Sequence, residues 1–469
     1  MTIFKRGIVL FVFGLAVAVA GTAQAGDSIP LPRNDAFYTP PAGYESLSNG
    51  TVLQSRKINA EFLTPFLSTS VTSHFGTLIG SFAPYLKELK NLKINAYQVL
   101  YKSTDGEGRA VAEAATILVP QGSWAGHATM GADRPLVAFQ SAEDSVSTHC
   151  EPSYTLRAGM LANKGGSGSI SQFDVLLSFP ALAEGYAVVY ADYEGPRSEW
   201  LAGKNEAHGV LDGIRAALQY GPAGLAEGTK VALWGYSGGG GATGWAAEQA
   251  QVYAPGLNIV GAAIGASSND DLGGVYTANN GTYTDGFLPM AIVALMRAFP
   301  DSSVTPYLTP EGKQLLARAG DSDACSTQNL AKFAFAGKLE RYTTTPSQPL
   351  TRLPPARKLF RANSLLDQPL TPKMPVLKYH DVLDTIIPVK GGNELAKKYC
   401  EAGGRVEVLR TSTPAPVHLL VHGAGAIEGD LPALHYITNR FKGISPRDDC
   451  SRSWRWSLTF LPYRPYSTQ

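Results

Sequence analysis

Charge is scarce in this chain: 17 % of its 469 residues are Asp, Glu, Lys or Arg, and 40 basic groups face 39 acidic ones. A chain with no dominant sign offers no electrostatic footprint to a polyanion, so no nucleic-acid partner is expected. Cysteine is scarcer still. The four present, Cys150, Cys325, Cys400 and Cys450, form no C-x-x-C pair, which argues against a zinc site, and neither a metal nor a cofactor is expected. Beyond the first 25 residues no apolar stretch reaches spanning length without Gly, Pro or charge, so no transmembrane segment is expected in the mature chain. Internal repeats and low-complexity blocks are missing too. What the chain does have is a 44 % apolar fraction, enough to bury a large core.

Lys5 and Arg6 precede the uncharged run IVLFVFGLAVAVA (8–20), and Ala23-Gln24-Ala25 supplies the small residues that a signal peptidase requires. The run is short for a membrane span, so residues 1–25 read as a cleaved signal peptide and the protein as secreted or periplasmic. Cleavage removes two basic groups and no acidic one, leaving 38 against 39. In an exported chain an even number of cysteines reads as disulfides, and four cysteines allow three pairings.

Residues 26–50 form an irregular leader rich in Pro, Gly, Ser and Asn. The segment 96–120 sets two β-prone runs around the turn Asp105–Gly108, a hairpin signal. Strands and helices then alternate, with strands near 134–140, 185–195, 230–236, 257–266, 374–384 and 405–411. Helices are expected near 208–221, 242–253, 391–404 and 431–443. Alternation of this kind predicts an α/β fold with a mostly parallel sheet covered by helices on both faces. Residues 267–370 break the rhythm with FLPMAIVALMRAF (287–299) and a helix start at Thr309-Pro310. They read as a helical lid or cap inserted between an N-terminal part of the core, 26–266, and a C-terminal part, 371–469. An ordinary helical excursion packed on the core fits the composition equally.

Gly235-Tyr236-Ser237-Gly238-Gly239 is a G-x-S-x-G pentapeptide placed between the strand VALWGY and a helix. That context marks a nucleophile elbow, a turn so tight that its flanking positions require glycine. A glycine-rich phosphate loop is the alternative, but no G-K-[ST] follows. A serine hydroxyl needs a base, itself oriented by a carboxylate, and on such a fold the order is Ser, then Asp or Glu, then His. Only His380, His418, His422 and His435 follow Ser237. The acid candidate is Asp384 at the end of the strand VLKYHDVLD, with Asp381 as competitor and His380 as a loop residue. The base belongs to the loop between RVEVLRT and the closing helix. His418 and His422 both lie there, and local context does not separate them. His435 falls inside the helix.

At these residues the chain resembles the secretory lipases of the Candida lipase A type. The stretch 235–266, GYSGGGGATGWAAEQAQVYAPGLNIVGAAIGA, carries the likeness. EDSVSTHCEPSY (143–154), GYAVVYADYEGP (185–196) and LPALHYITNRFKG (431–443) add to it, as do YKSTDGEGRAV and HGVLDGIRAAL. It runs from about residue 45 to about 445. It implies an α/β-hydrolase core with a helical lid, Ser237 as nucleophile and Asp384 as triad acid. It favours His422 over His418 as base, through the distance to Ala433-Leu434 with Gly429 between. It also implies an oxyanion hole from the Gly238 N–H plus a donation from Asp144, and the pairings Cys150–Cys325 and Cys400–Cys450. An ionised Asp144 cannot donate, so either its backbone N–H serves or its carboxyl is protonated. The glycine run Gly238–Gly241 departs from the family's usual bulkier residue and is expected to loosen the helix start and widen the site.

The function expected is a secreted ester hydrolase that works through an acyl-enzyme on Ser237. Its substrate would be a lipid or other ester, met at a lipid–water interface through the lid if FLPMAIVALM faces outward. The alternatives are a soluble-ester carboxylesterase, an exported peptidase and a catalytically silent binding protein.

Overall fold

The computed structural model describes residues 29–59, 85, 92–158, 171, 174–321, 325–413 and 418–450. The expected signal peptide, 1–25, lies outside the described residues. The alternating segments form one nine-stranded sheet. Its strands are β1 (Val52–Ile58), β2 (Ile94–Thr104), β3 (Ala110–Pro120), β4 (Leu136–Gln140), β5 (Ala187–Ala191), β6 (Val231–Tyr236), β7 (Ile259–Gly265), β8 (Val376–Asp381) and β9 (Val406–Thr411). They lie in the order β1-β2-β3-β5-β4-β6-β7-β8-β9. β1, β2, β3 and β5 pair antiparallel, and every pair from β5 to β9 is parallel.

The strand sequences explain the layering. β4, β5 and β6 are buried along their whole length, because near-continuous apolar strands suit a sheet covered on both faces. Alternate side chains point to opposite faces. Leu136, Ala138, Val231 and Leu233 enter one core with α1 (Gly203–Gln219), α2 (Gly238–Tyr253) and the later helix Val389–Glu401. Val137, Phe139, Ala232 and Trp234 enter the other, against the closing helix His418–Phe441. Burial of each Val, Leu or Phe side chain contributes about 1.5–3 kcal/mol.

Between β7 and β8 stand α3 (Leu272–Asn279), α4 (Phe287–Ala298), α5 (Pro310–Gly320), α6 (Ser326–Phe333) and α7 (Pro354–Asn363). The chain then adds α8 (Val389–Glu401) after β8 and α9 (His418–Phe441) after β9. Thr309 caps α5, its hydroxyl accepting from the Gly312 N–H at 3.2 Å. The insert has a core of its own, with Leu288, Met290, Leu295, Leu315, Phe333 and Leu359, joined by Val146 and Trp200 from loops of the sheet layer. The apolar run in α4 is therefore packing. Leu288, Pro289, Met290, Ile292, Val293, Ala294 and Leu295 are all buried, so of the two readings of this run, an outward face or a core helix, the core helix is the one seen. Disulfides join Cys150 to Cys325 and Cys400 to Cys450.

The closing helix departs most from the sequence reading. It begins at His418, well before residue 431, and runs through Pro432. The glycines of GAGAIEGD suggest a loop, yet they lie where the helix crosses the sheet. A Cβ on Gly429 would strike the Tyr379 ring, and one on Gly425 the Tyr236 hydroxyl. Close packing, not turn formation, explains Gly425 and Gly429, while Gly423 faces open space. No helix among the described residues is long and apolar enough to cross a membrane.

Candidate active site

Ser237 occupies the turn between β6 and α2, half-exposed, with φ 59° and ψ −123°. Such a conformation is strained and persists only where the surroundings fix it. Here the Ser237 N–H donates to Gly265 O at 3.1 Å. Its carbonyl accepts from Gly241 N at 3.0 Å and Ser268 N at 3.2 Å. The glycine run that follows is not slack. Side chains at Gly238, Gly239, Gly240 and Gly241 would collide with Asp144, the Gln140 carbonyl, the Gly265 carbonyl and Asn269, respectively. The run lets α2 seat against the sheet and the neighbouring loops, and all four residues are buried. The expectation of a loosened helix start and a wider site is corrected accordingly.

Two further residues converge on this serine. His422 Nε2 lies 2.9 Å from Ser237 Oγ, and His422 Nδ1 lies 2.6 Å from Asp384 Oδ2. The other carboxylate oxygen, Asp384 Oδ1, accepts from the N–H groups of Ile386 at 2.9 Å and Ile387 at 3.1 Å. The Tyr236 hydroxyl donates to the His422 carbonyl at 2.9 Å, fixing the second turn of α9 over the elbow. Asp381 is occupied elsewhere. It accepts from Leu383 N at 2.8 Å, Thr411 Oγ1 at 3.0 Å and Thr413 N at 2.8 Å, so it organises the ends of β8 and β9. The side chain of His418 lies outside the described residues, and His435 is exposed on α9.

The electrostatics follow from burial and pairing. Burial opposes ionisation of Asp384, but the charge and hydrogen bonds of His422 and His380 outweigh it and hold the carboxyl well below the usual range. Burial likewise opposes protonation of His422, and Asp384 outweighs it, so the imidazole titrates above its ordinary value. Asp144, in the loop after β4, has a left-handed φ of 46°, which aspartate tolerates better than most residues. It is buried beside Gly238, and its Oδ1 has no hydrogen-bond partner among the described residues. Burial pushes its carboxyl up to about 6, against the opposing influence of His422 and the Trp200 indole. A hydroxyl in hydrogen-bond reach of a base, a base held by a buried carboxylate, and donors beside the elbow together suit acyl transfer.

A match to the family described as Secretory lipase covers residues 163–449. The chain belongs to the secretory lipase family. It is 33 % identical to a probable inactive lipase of Mycobacterium tuberculosis over 92 % of this chain and 87 % of that one. It is 29 % identical to a secreted triacylglycerol lipase of Malassezia globosa over 95 % and 89 %. Its fold superposes on the closed state of Candida antarctica lipase A with a TM-score of 0.73 at 27 % identity, covering 90 % and 88 %. This secretory lipase is thus an exported carboxylic-ester hydrolase of the α/β-hydrolase fold.

Three residues near the lipase site carried no recognised sequence signal. His380 is not in a loop: it is buried on β8, with its Nε2 3.5 Å from Asp384 Oδ2. The four-residue spacing HDVLD was the available clue. Trp200 stands between Asp144 and the T-shaped partner Phe287 on α4, with ring centroids 6.1 Å apart. Arg297, also on α4, donates to carbonyls of the loops that carry Asp144 and Trp200. Side chains that join separate loops leave no local pattern to read. A further His149, Cys150 and Cys325 group has metal-like proximity. Its two sulfurs are bonded to each other and offer no thiolate to an ion.

Proposed function

We propose that Ser237 is the nucleophile, His422 the general base and Asp384 the acid that orients it. The observation that carries this reading is the chain of contacts at 2.9 and 2.6 Å from Ser237 through His422 to Asp384. Ser237 Oγ attacks the ester carbonyl as its proton passes to His422 Nε2. The imidazolium is stabilised by Asp384 and returns the proton to the departing alkoxide. Water then takes the serine's place and releases the acid, so no cofactor is needed.

The negative charge on the former carbonyl oxygen needs preorganised donors. The Gly238 N–H is one, since the first N–H groups of a helix have no intrahelical partner. The second is the protonated carboxyl of Asp144. Its burial raises it to about 6, and a neighbouring oxyanion would raise it further.

Residues 267–370 act as a cap over the site, between core parts 26–266 and 371–469, and the preferred substrates are triacylglycerols or other carboxylic esters. A relative named as a triacylglycerol lipase supports this. Activity on soluble esters is the second reading, and the burial of α4 favours it, because that helix turns its apolar residues inward. Rates on p-nitrophenyl esters from acetate to palmitate, beside emulsified triglyceride, decide between them. One relative is named inactive, so the test of catalysis must be direct. A fluorophosphonate probe should label the wild type and not Ser237→Ala, and Ser237→Ala should lose activity on the order of 10⁶-fold. An unlabelled wild type would mark a silent binding protein.

A further inference from the structure

We infer that His380 is a positioning residue for the reaction, a second imidazole that holds the Asp384 carboxylate and its turn in the geometry His422 requires. The inference rests on the triad proposed above. Its basis is the surroundings of Asp384. That carboxylate is fully buried and needs partners on both oxygens. The Oδ1 side is filled by the N–H groups of Ile386 and Ile387. The Oδ2 side has His422 at 2.6 Å and, on its remaining flank, His380 Nε2 at 3.5 Å.

The same His380 Nε2 donates to the Ile387 carbonyl at 2.8 Å. Its N–H is therefore committed to the turn whose amides grip one carboxylate oxygen, while the same ring nitrogen stands 3.5 Å from the other oxygen. His380 cannot swing away, because it is buried on an interior strand paired with β7 and β9. The groups facing it are known. Asp384 lies on its own turn and Asp270 follows β7, with Asp270 Oδ2 and His380 Nδ1 both 3.2 Å from where a Cβ on Gly392 would stand. Arg410 faces it from β9. Burial and Arg410 keep His380 neutral despite Asp384, its pKa lying below the ordinary value. A neutral donor disperses part of the carboxylate charge without adding a second cation to compete with the His422 imidazolium.

The test compares His380→Leu, His380→Asn and His380→Gln in the full chain. Gln places its amide N–H near the Nε2 position and keeps the donor, whereas Asn reaches only the Nδ1 position and Leu has none. A hydrogen bond between neutral groups governs roughly two- to ten-fold effects. The expectation is that His380→Leu and His380→Asn lose about that much kcat with KM unchanged, while His380→Gln keeps most of it. Without the donor, Asp384 pulls harder on the imidazolium, so the acid limb of kcat/KM should move to higher pH in His380→Leu and His380→Asn. Equal losses in all three variants, or an acid limb that stays put, would reduce His380 to a packing residue and overturn the inference. If His380→Leu does not fold, the Asn–Gln pair carries the same comparison. Failure of the triad itself would show separately, as activity retained by Ser237→Ala.

Discussion

The guanidinium of Arg297 on α4 donates at 2.7 Å to the carbonyl of Val146, two residues past Asp144. It also donates to Arg197 O at 2.8 Å and Gly320 O at 2.9 Å. The Cys150–Cys325 disulfide fastens the same loop to the insert a few residues on. Trp200, against Asp144, packs on Phe287 of α4. The loop that would stabilise the oxyanion is thus braced by the inserted helices at three points, and the strained φ of Asp144 has a physical support.

That bracing separates the two disulfides. Each should stabilise by about 2–4 kcal/mol through restriction of the unfolded chain, more for the longer loop. Cys150–Cys325 closes a separation of 175 residues and Cys400–Cys450 one of 50. The double variant Cys150→Ser/Cys325→Ser should lower both the melting temperature and kcat. Cys400→Ser/Cys450→Ser, which ties α8 to the residues after α9, should lower the melting temperature alone. Equal loss of kcat in the two variants would show that the loop does not depend on the insert for its geometry.

Eight of the nine strands were legible because their signals are local: the hairpin at Asp105–Gly108, each apolar run from β4 to β9 and the elbow at Ser237 lie within a few adjacent residues, whereas β1 (Val52–Ile58) was not expected. The boundary of α9 was not legible, since Gly425 and Gly429 look like a loop until the rings of Tyr236 and Tyr379 are placed beneath them. FLPMAIVALM was ambiguous for a similar reason: apolarity states that a helix is buried against something, not against what. Ser237 and Asp384, on which the proposed mechanism rests, were singled out from strand ends. His380 and Arg297 act through contacts between elements far apart in sequence, and periodicity does not encode those.

Stability should peak on the acid side of neutrality. Burial raises Asp174 and Asp192 to about 7 and Glu206 to about 8, and Glu143 and Glu194 well above the ordinary value. Unfolded carboxyls titrate near 4. Between about pH 4 and 8 the native state therefore holds protons that the unfolded state has lost, and stability falls as pH rises through that window. The raised His422 acts in the same direction. Asp384 and Asp35, the latter lowered to about 2 by its arginine partners despite burial, act oppositely and withdraw stability below about pH 4. The lowered His380 also withdraws stability as pH falls below its unfolded value, about 6.5. The melting temperature should be higher at pH 5.5 than at pH 8.5. A rise over that interval would mean that these buried carboxyls are ionised in the native state.

Asp144 can be tested through the proton it would donate. Asp144→Asn supplies a permanent side-chain donor and tolerates the left-handed φ, so it should retain most activity. Its rates should hold above about pH 6, where the wild type loses the carboxyl proton. Asp144→Ala removes the donor and should lose about 10²–10³-fold in kcat. If Asp144→Ala and Asp144→Asn are equally active, the backbone N–H serves the oxyanion and the carboxyl does not.

The choice of base gives the last prediction. His422 and His418 are both on α9, four residues apart, and the sequence around them does not separate the two. Reach in two directions does. A triad base must meet the serine hydroxyl with one ring nitrogen and the carboxylate with the other. His422 does so at 2.9 and 2.6 Å, and its backbone carbonyl is pinned by the Tyr236 hydroxyl of the residue before the nucleophile. One serine and one carboxylate oxygen engaged by the same imidazole leave no equivalent place for a second. His422→Ala should lose activity on the order of 10⁴-fold or more, remain folded, and label slowly with fluorophosphonate. His418→Ala should keep most of its activity in the same assay. The reverse pattern would assign the base to His418 and require the first turn of α9 to supply the contact to Asp384.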